Sequence, residues 1–566
     1  MNRIGGRIAV AVLAAVLLVL IVLPVGVLII GSLLSDPPRA LQFNWSGLTF
    51  SNYAAVLSGQ DFAALLGTTV AAALIGTAGA LVIGAALAWL AVRTDVPARR
   101  LLEAVAIMPM FVPPLVGAFA WDVLASPRSG IINIVLRAVG VGVSVNIYSL
   151  GGIGFVFAIY YCPYVFLFMA AALRNMDAAL EEAAAMCGAG PLRVLANITA
   201  PLVAPALLSS GLLVFVLLME IFAIPAVLGE PGGVHVMSVR IWELIGFAPP
   251  KVNEASALGV LLLLLTVTLV ILQHRFLGRR SFVTVAGKGL RSQPVRLGVM
   301  RWPLATLGML YLACVVVLPF SALLFIALRK NLFFSSLAAM VRTSQFSTRQ
   351  FTVAMNDPVV RDALSNSLLV SLATVGLGSI LYFAVAYIVH RTRLPGRRLL
   401  NMIAILPVAI PGLIIGLGYL WSWISLPVGL YGTVWIIVFA YISQFAPQGV
   451  SAISATLVQI HPELEESSRL SGAGLFTTLR RIVIPLAWPG ILASMILLLV
   501  LSFREFATAL FLYTSSTQVF SLAMFDFWER GSTSLVAVMA LAQSALLLLF
   551  ITIGRMLTRR LAADQP

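Results

Sequence analysis

The chain has 566 residues, of which 61% are hydrophobic and 10% charged, with a mean hydropathy of +1.04. A soluble protein carries roughly a quarter charged residues, so this composition excludes a soluble globular enzyme and marks a polytopic membrane protein. The formal net charge of +15 is not a nucleic-acid footprint, because the basic residues lie in short segments between apolar runs, as membrane orientation requires.

Arg3 and Arg7 precede an apolar run from Ile8 to about Ile30. It is longer than a signal-peptide core and reads as a retained first span. Apolar stretches of about 20 residues, the length that crosses a bilayer as helix, then recur. In the first half they fall near 8–31, 64–92, 102–124, 148–173, 203–228 and 256–277. In the second half they fall near 303–328, 362–389, 399–425, 431–455, 486–512 and 534–556. These runs are continuous rather than alternating, so they are helices and not barrel strands. The predicted fold class is an all-α polytopic membrane protein of about 12 transmembrane helices. Pro109/Pro113 and Pro407/Pro411 are expected to kink or break spans three and nine. Gly76, Gly79, Gly84 and the pair Gly412, Gly416 permit close helix packing.

Basic residues choose the orientation. Arg93, Arg99 and Arg100 follow span two, Arg174 and Arg193 span four, Arg391, Arg393, Arg397 and Arg398 span eight, and Arg469, Arg480 and Arg481 span ten. With twelve spans these segments share one side, which the positive-inside bias makes cytoplasmic, together with both termini.

Two of these segments are copies. DAALEEAAAMCGAGPLRVLANITAP (177–201) recurs as HPELEESSRLSGAGLFTTLRRIVIP (461–485). Glu182 registers with Glu466, Gly188 with Gly472, Gly190 with Gly474 and Pro201 with Pro485, each 284 residues apart. The repeat extends further. Arg93-Thr94 matches Arg391-Thr392 at an offset of 298, and Pro24 matches Pro319 at 295. The drop from 298 to 284 places about 14 extra residues in the first half, near 125–146. Each half has an even number of spans, so the repeats are parallel. The expected units are a first domain over 1–277, a linker over 278–301 and a second domain over 302–566. Each hairpin is expected to start on a capped helix (Asp177 as N-cap; Pro462 in the first turn with Glu463, Glu465 and Glu466 at the positive dipole end). Gly-Ala-Gly then stops it. Small residues (Ala183, Ala184; Ser467, Ser468) leave a narrow face that fits a groove.

The pattern Glu182-Ala183-Ala184, Gly188, Ile198, Pro201 and its second copy Glu466-Ser467-Ser468, Gly472, Ile482, Pro485 resembles the signature of permeases of binding-protein-dependent ABC importers. Ala200 and Ile484 stand where that signature has Leu. The resemblance covers essentially the whole chain and implies two fused permease domains of the type I importer (MetI-like) fold. It also implies coupling helices docked on two ABC ATPase subunits, with Glu181, Glu182, Ala183, Ala184, Gly188, Pro201, Glu465, Glu466, Ser467, Ser468, Gly472 and Pro485 as the ATPase-coupling residues. It further implies a substrate-binding protein as partner and a bacterial inner membrane as location. No G-x-x-x-x-G-K-[ST] loop is present. No cofactor is therefore expected in this chain; ATP and Mg belong to the ATPase, and this chain is a transport subunit rather than an enzyme.

Three charges lie inside spans, where charge is costly and functional: Glu220, Arg504 and Glu505. Glu220 and Arg504 are equivalent under the repeat (504 − 220 = 284). They either line the path or pair across it and lock the halves. The segments around them resemble those of fused ferric-iron permeases, a layout shared with importers of thiamine, phosphonates, sugar phosphates and polyamines. Carboxylates suit ferric iron, whereas Arg504 suits an anion. The three cysteines and four histidines have no metal-ligand spacing, so no metal site is expected. A secondary transporter would leave the repeated hairpin unexplained, and an embedded enzyme would need a catalytic constellation.

Overall fold

Prolines decide where the helices of this chain bend. The computed structural model describes residues 3–37, 39, 47–59, 61–177, 179–278, 295, 297–330, 337–426 and 428–563. Most of the expected linker 278–301 lies outside the described residues. Among those described, nine helices are long and apolar enough to cross a membrane, and three bent pairs raise the count to twelve. The pairs Arg99–Phe111 with Pro114–Ala125 and Arg397–Ala409 with Gly412–Ser425 bend by 99° and 111°. These are the breaks expected from Pro109/Pro113 and Pro407/Pro411, each a site where a backbone donor is missing. The third pair, Val434–Gln444 with Ala446–Gln459, bends by 53° at Phe445, whereas its counterpart Leu150–Asn175 runs unbroken through Pro163.

Four other prolines leave a different mark. Pro24, Pro201, Pro319 and Pro485 each follow a π-helical turn, over Leu18–Val22, Leu195–Thr199, Ala313–Val317 and Leu479–Val483. In each case the N–H just before the proline reaches back five residues (Leu23 to Leu18, Ala200 to Leu195, Leu318 to Ala313, Ile484 to Leu479). Proline leaves the carbonyl four residues back without its donor. At Pro24 that orphan is Leu20, whose carbonyl accepts from the hydroxyls of Tyr419 and Ser443 in the other half, both at 2.8 Å.

The halves interlock. The first span (Gly5–Ser32) packs on the second leg of span nine, and span seven (Gly298–Ala327) packs on the second leg of span three. Within each half, spans two, four and five form a bundle: Phe62–Arg93, Leu150–Asn175 and Leu195–Glu220 in the first, Pro358–Arg391, Ala446–Gln459 and Leu475–Arg504 in the second. Glycine sets the closest approach. A Cβ at Gly76 would meet Phe157 at 2.5 Å, and one at Gly84 the Cys162 carbonyl at 2.7 Å.

Spans five and eleven depart from the apolar-run reading, which carries them to 228 and 512. The helices stop at Glu220 and Arg504, and Ile221 and Glu505 are extended. Hydropathy does not register this break because Ile221, Phe222, Ala223 and Ile224 are all apolar. The freed carbonyls are satisfied inside the protein, as a membrane interior demands. Ser238 donates to the Ile221 carbonyl at 2.8 Å, and Ser521 to the Glu505 carbonyl at 2.6 Å.

Candidate functional site

The two hairpins are built alike. Ala179–Met186 is the first helix of one and Pro462–Leu470 of the other. Asp177 accepts from the Ala179 N–H at 3.0 Å, and Pro462 occupies the first turn of the second helix. Gly188 and Gly472 both take φ +82°, a left-handed value that favours glycine. In both, the next N–H closes back on the helix (Ala189 to Ala184, 3.0 Å; Ala473 to Ser468, 3.1 Å). That is the six-to-one bond of a glycine-terminated helix.

Ala183, Gly188, Pro201, Glu466, Ser467, Gly472 and Pro485 are exposed, and Ala184 and Ser468 are half-buried. The Glu182 side chain lies outside the described residues. Four large apolar side chains on the same helices face water at matching positions. Leu180 and Leu464 are 49% and 45% exposed, and Met186 and Leu470 are 87% and 89% exposed.

Glu181 and Glu465 instead turn inward. Arg93, in the last turn of span two, places Nη1 3.6 Å from Glu181 and donates to the Met176 carbonyl at 3.1 Å. Arg391, ending span eight, places Nε 3.4 Å from Glu465 and donates to the Ile460 carbonyl. Both arginine side chains are buried, at 4% and 7% exposure. The Arg391–Glu465 contact is ionic rather than an aligned hydrogen bond, since among the described residues Arg391 Nε and Glu465 Oε1 each lack a hydrogen-bond partner. Neither arginine was distinguishable by spacing from an ordinary orienting charge. The repeated Arg-Thr ahead of a proline was the available signal.

The second cluster lies at the breaks after spans five and eleven. Glu220 Oε2 is shielded and has no hydrogen-bond partner among the described residues. Glu505 accepts from the Thr508 N–H at 3.1 Å and its hydroxyl at 2.9 Å. Gly412 and Gly416 make room for this turn. A Cβ at Gly412 would lie 2.8 Å from Thr508 Oγ1, and one at Gly416 would collide with the Thr508 carbonyl. Arg504 donates to the Met110 carbonyl at the break of span three, in the opposite half. Among the described residues no ion pair joins it to Glu220, so the halves are tied here by a hydrogen bond to backbone. Tyr161, stacked on Tyr164, lies within electrostatic range of Arg504, Glu220 and Glu505. The structure thus brings all three charges around one tyrosine.

Two residues beyond each charge stand Phe222 and Phe506, equivalent under the repeat (506 − 222 = 284). Their rings face each other across the halves at 5.5 Å, and Phe525 packs on both, at 6.0 and 5.2 Å. Trp528 stacks on Phe525 and donates to Asp122 of the first half at 3.5 Å. This aromatic layer joins the two halves two residues beyond the charges. In the segments that follow, Glu529 lies within electrostatic range of Glu230 and Asp526, and partial desolvation with these two neighbours raises its carboxyl to about 7, against the lowering effect of Arg530. Among the described residues no three His, Cys, Asp or Glu side chains form a metal-holding group.

The chain is similar to known proteins. The family profile of the binding-protein-dependent transport system inner membrane component matches twice, at 80–283 and 375–563. The ferric transport system permease protein of Actinobacillus pleuropneumoniae is 27% identical over 456 residues, 80% of this chain, and the chain spans 64% of that relative's length. An Fe(3+)-transport system permease protein of Haemophilus influenzae is 23% identical over 491 residues, 86% of this chain and 87% of its own. The sn-glycerol-3-phosphate transport system permease protein of Yersinia pseudotuberculosis is 33% identical over 215 residues, 36% of this chain and 72% of its own. Among solved structures, a bacterial ABC transporter involved in alginate import aligns to 46% of this chain and 96% of its own, with a TM-score of 0.38 and 18% identity.

Proposed function

The chain belongs to the family of binding-protein-dependent transport system inner membrane components, and from that premise we propose that it is the permease of an ATP-driven importer of ferric iron. Its units are 1–277 and 302–566, joined by 278–301, in a bacterial inner membrane with both termini and both hairpins in the cytoplasm. Two ABC ATPase subunits, which bind the ATP and Mg, dock on the hairpins. A binding protein delivers substrate at the opposite end.

The observation that carries the docking is the matched exposure of Leu180 and Met186 with Leu464 and Leu470. Apolar side chains this exposed at two symmetric places mark an interaction surface. Helix-in-groove docking reads such anchors. Glu182, Ala183, Ala184, Gly188 and Pro201, with Glu466, Ser467, Ser468, Gly472 and Pro485, complete that surface, and Glu181 and Glu465 hold it from behind. Each hairpin continues, π turn included, in a 26-residue helix to Glu220 or its 30-residue counterpart to Arg504. At 1.5 Å per residue, 26 residues span about 39 Å. ATPase closure moves the hairpins, and the helices carry that displacement to the charges and the Phe222–Phe506 contact. Parting these rings opens the path to the outside.

The shielded, unpartnered Glu220 oxygen supports a cationic substrate with affinity for hard oxygen donors, as do the relatives named for ferric transport. Arg504 commits one of its N–H donors to the Met110 carbonyl. A second reading, import of an organophosphate such as a glycerol phosphate, has the Yersinia relative in its favour. The test is ATP hydrolysis by the reconstituted complex with its binding protein. Stimulation by the ferric-loaded form is expected, and stimulation by a glycerol-phosphate-loaded form alone replaces the reading. In the same system Glu220→Gln is expected to lower uptake about tenfold, ~1.4 kcal/mol on the barrier. Unchanged uptake with normal expression rules out a pathway role.

A further inference from the structure

We propose that Arg93 and Arg391 are the joints through which hairpin movement reaches the transmembrane bundle. They are positioning residues that couple the ATPases to the path without touching either. The inference rests on the permease reading above.

Three observations carry it. The first is geometry. Each arginine ends span two or eight, grips the carbonyl of Met176 or Ile460 just past the preceding span, and faces the first-turn carboxylate Glu181 or Glu465 of the hairpin. One side chain therefore ties three elements together. The second is that the arrangement is duplicated although the chain between its members is not. Arg93 and Arg391 are offset by 298, and Glu181 and Glu465 by 284. The 14-residue difference is absorbed between the partners, yet both contacts close. The third is cost. A buried ion pair adds little stability over apolar packing and is expensive to break. Placed at a joint, it transmits because it cannot yield gradually, as coupling through two discrete arrangements requires. The linker also reaches the first joint: Val295 donates to the Arg93 carbonyl at 2.8 Å, and the Leu297 N–H to Asp95 at 2.9 Å.

The test reads movement and needs no knowledge of the substrate. Spin labels replace Glu230 and Glu529, one in each half and within electrostatic range of each other at the proposed outer mouth, in a chain carrying Cys187→Ser and Cys314→Ser. The native complex is purified with its ATPases, and the label distance is measured without nucleotide and after trapping with ATP and vanadate. The parent distance is expected to increase on trapping. If it does not, the alternating-access reading fails first. The variant Arg93→Gln/Glu181→Gln with Arg391→Gln/Glu465→Gln removes both pairs without stranding a charge. It is expected to trap vanadate and to lose the distance increase, while Arg93→Lys/Arg391→Lys recovers part of it. A full increase in the neutral variant overturns the proposal. So does a neutral variant that fails to assemble while the lysine variant assembles and opens fully, since the pairs then serve assembly alone.

Discussion

In the first half Glu181 takes Arg93 on one oxygen and the Thr199 hydroxyl, at 2.6 Å, on the other. In the second half Glu465 meets Arg391, accepts from the Tyr387 hydroxyl at 2.9 Å, and has a further cation, Arg469, at 3.6 Å. Position 483, equivalent to Thr199, is Val, and position 89, equivalent to Tyr387, is Trp. The two hairpins thus keep the same arginine and exchange the remaining donor, from the hairpin's own return helix to the transmembrane span. What stays constant is the tie between carboxylate and span end; how the second oxygen is satisfied is free to vary.

The sharpest way to break this comparison is to remove the shared arginine. Arg93→Met leaves Glu181 without its cation and is expected to cost about 3–5 kcal/mol. Arg391→Met is expected to cost less, because Arg469 remains, and the difference should vanish when Arg469→Ala is added. Thermal unfolding in detergent measures both, and equal losses from the single variants would count against the extra cation. Next in size are the exposed anchors. Met186→Ala and Leu470→Ala are each expected to weaken ATPase binding by about 1.5–3 kcal/mol, with matching dissociation constants. A tenfold disparity between them would break the symmetry of docking.

Much of this architecture is legible in the sequence, for a physical reason. Twelve apolar runs and paired prolines are local signals, and both survive into the fold because a bilayer and a missing N–H act on the chain locally. The hairpin ends were legible too, since Gly188 and Gly472 are needed where φ is positive. The inward pairs were not. Arg93 and Glu181 are 88 residues apart, Arg391 and Glu465 74, and apart from the repeated Arg-Thr nothing in their own surroundings separates them from orienting charges. The helix breaks after Glu220 and Arg504 were also hidden, because their capping hydroxyls, Ser238 and Ser521, come from later in the chain. Phe222 and Phe506 carry a legible signal of their own, a common two-residue spacing from Glu220 and Arg504.

Smaller effects sharpen the comparison further. Thr199→Val and Tyr387→Phe each remove the exchanged donor and are expected to cost about 1 kcal/mol. Adding Val483→Thr to Tyr387→Phe should recover part of that loss, and no recovery would mean the exchange is not functional. The smallest effect concerns pH at the proposed outer mouth, where Glu529 lies within electrostatic range of Glu230 and Asp526. The Glu529 carboxyl lies above its ordinary 4.5, at about 7. Its contribution to the closed mouth is therefore fully present at low pH and is lost as pH rises through about 7, when its charge joins the other two. Labels across the mouth at positions other than 230, 526 and 529 should report more of the open form at pH 8 than at pH 6, and Glu529→Gln should abolish the difference.

The account depends most on what occupies the hairpins. Native mass spectrometry of the complex purified through a tag on this chain tests that directly. The predicted mass corresponds to two ATPase subunits per chain, falling toward one when Leu180 and Met186 are both replaced by Asp. A chain that retains two ATPases after Asp replacement of Leu180, Met186, Leu464 and Leu470, or that carries none at the outset, would contradict it.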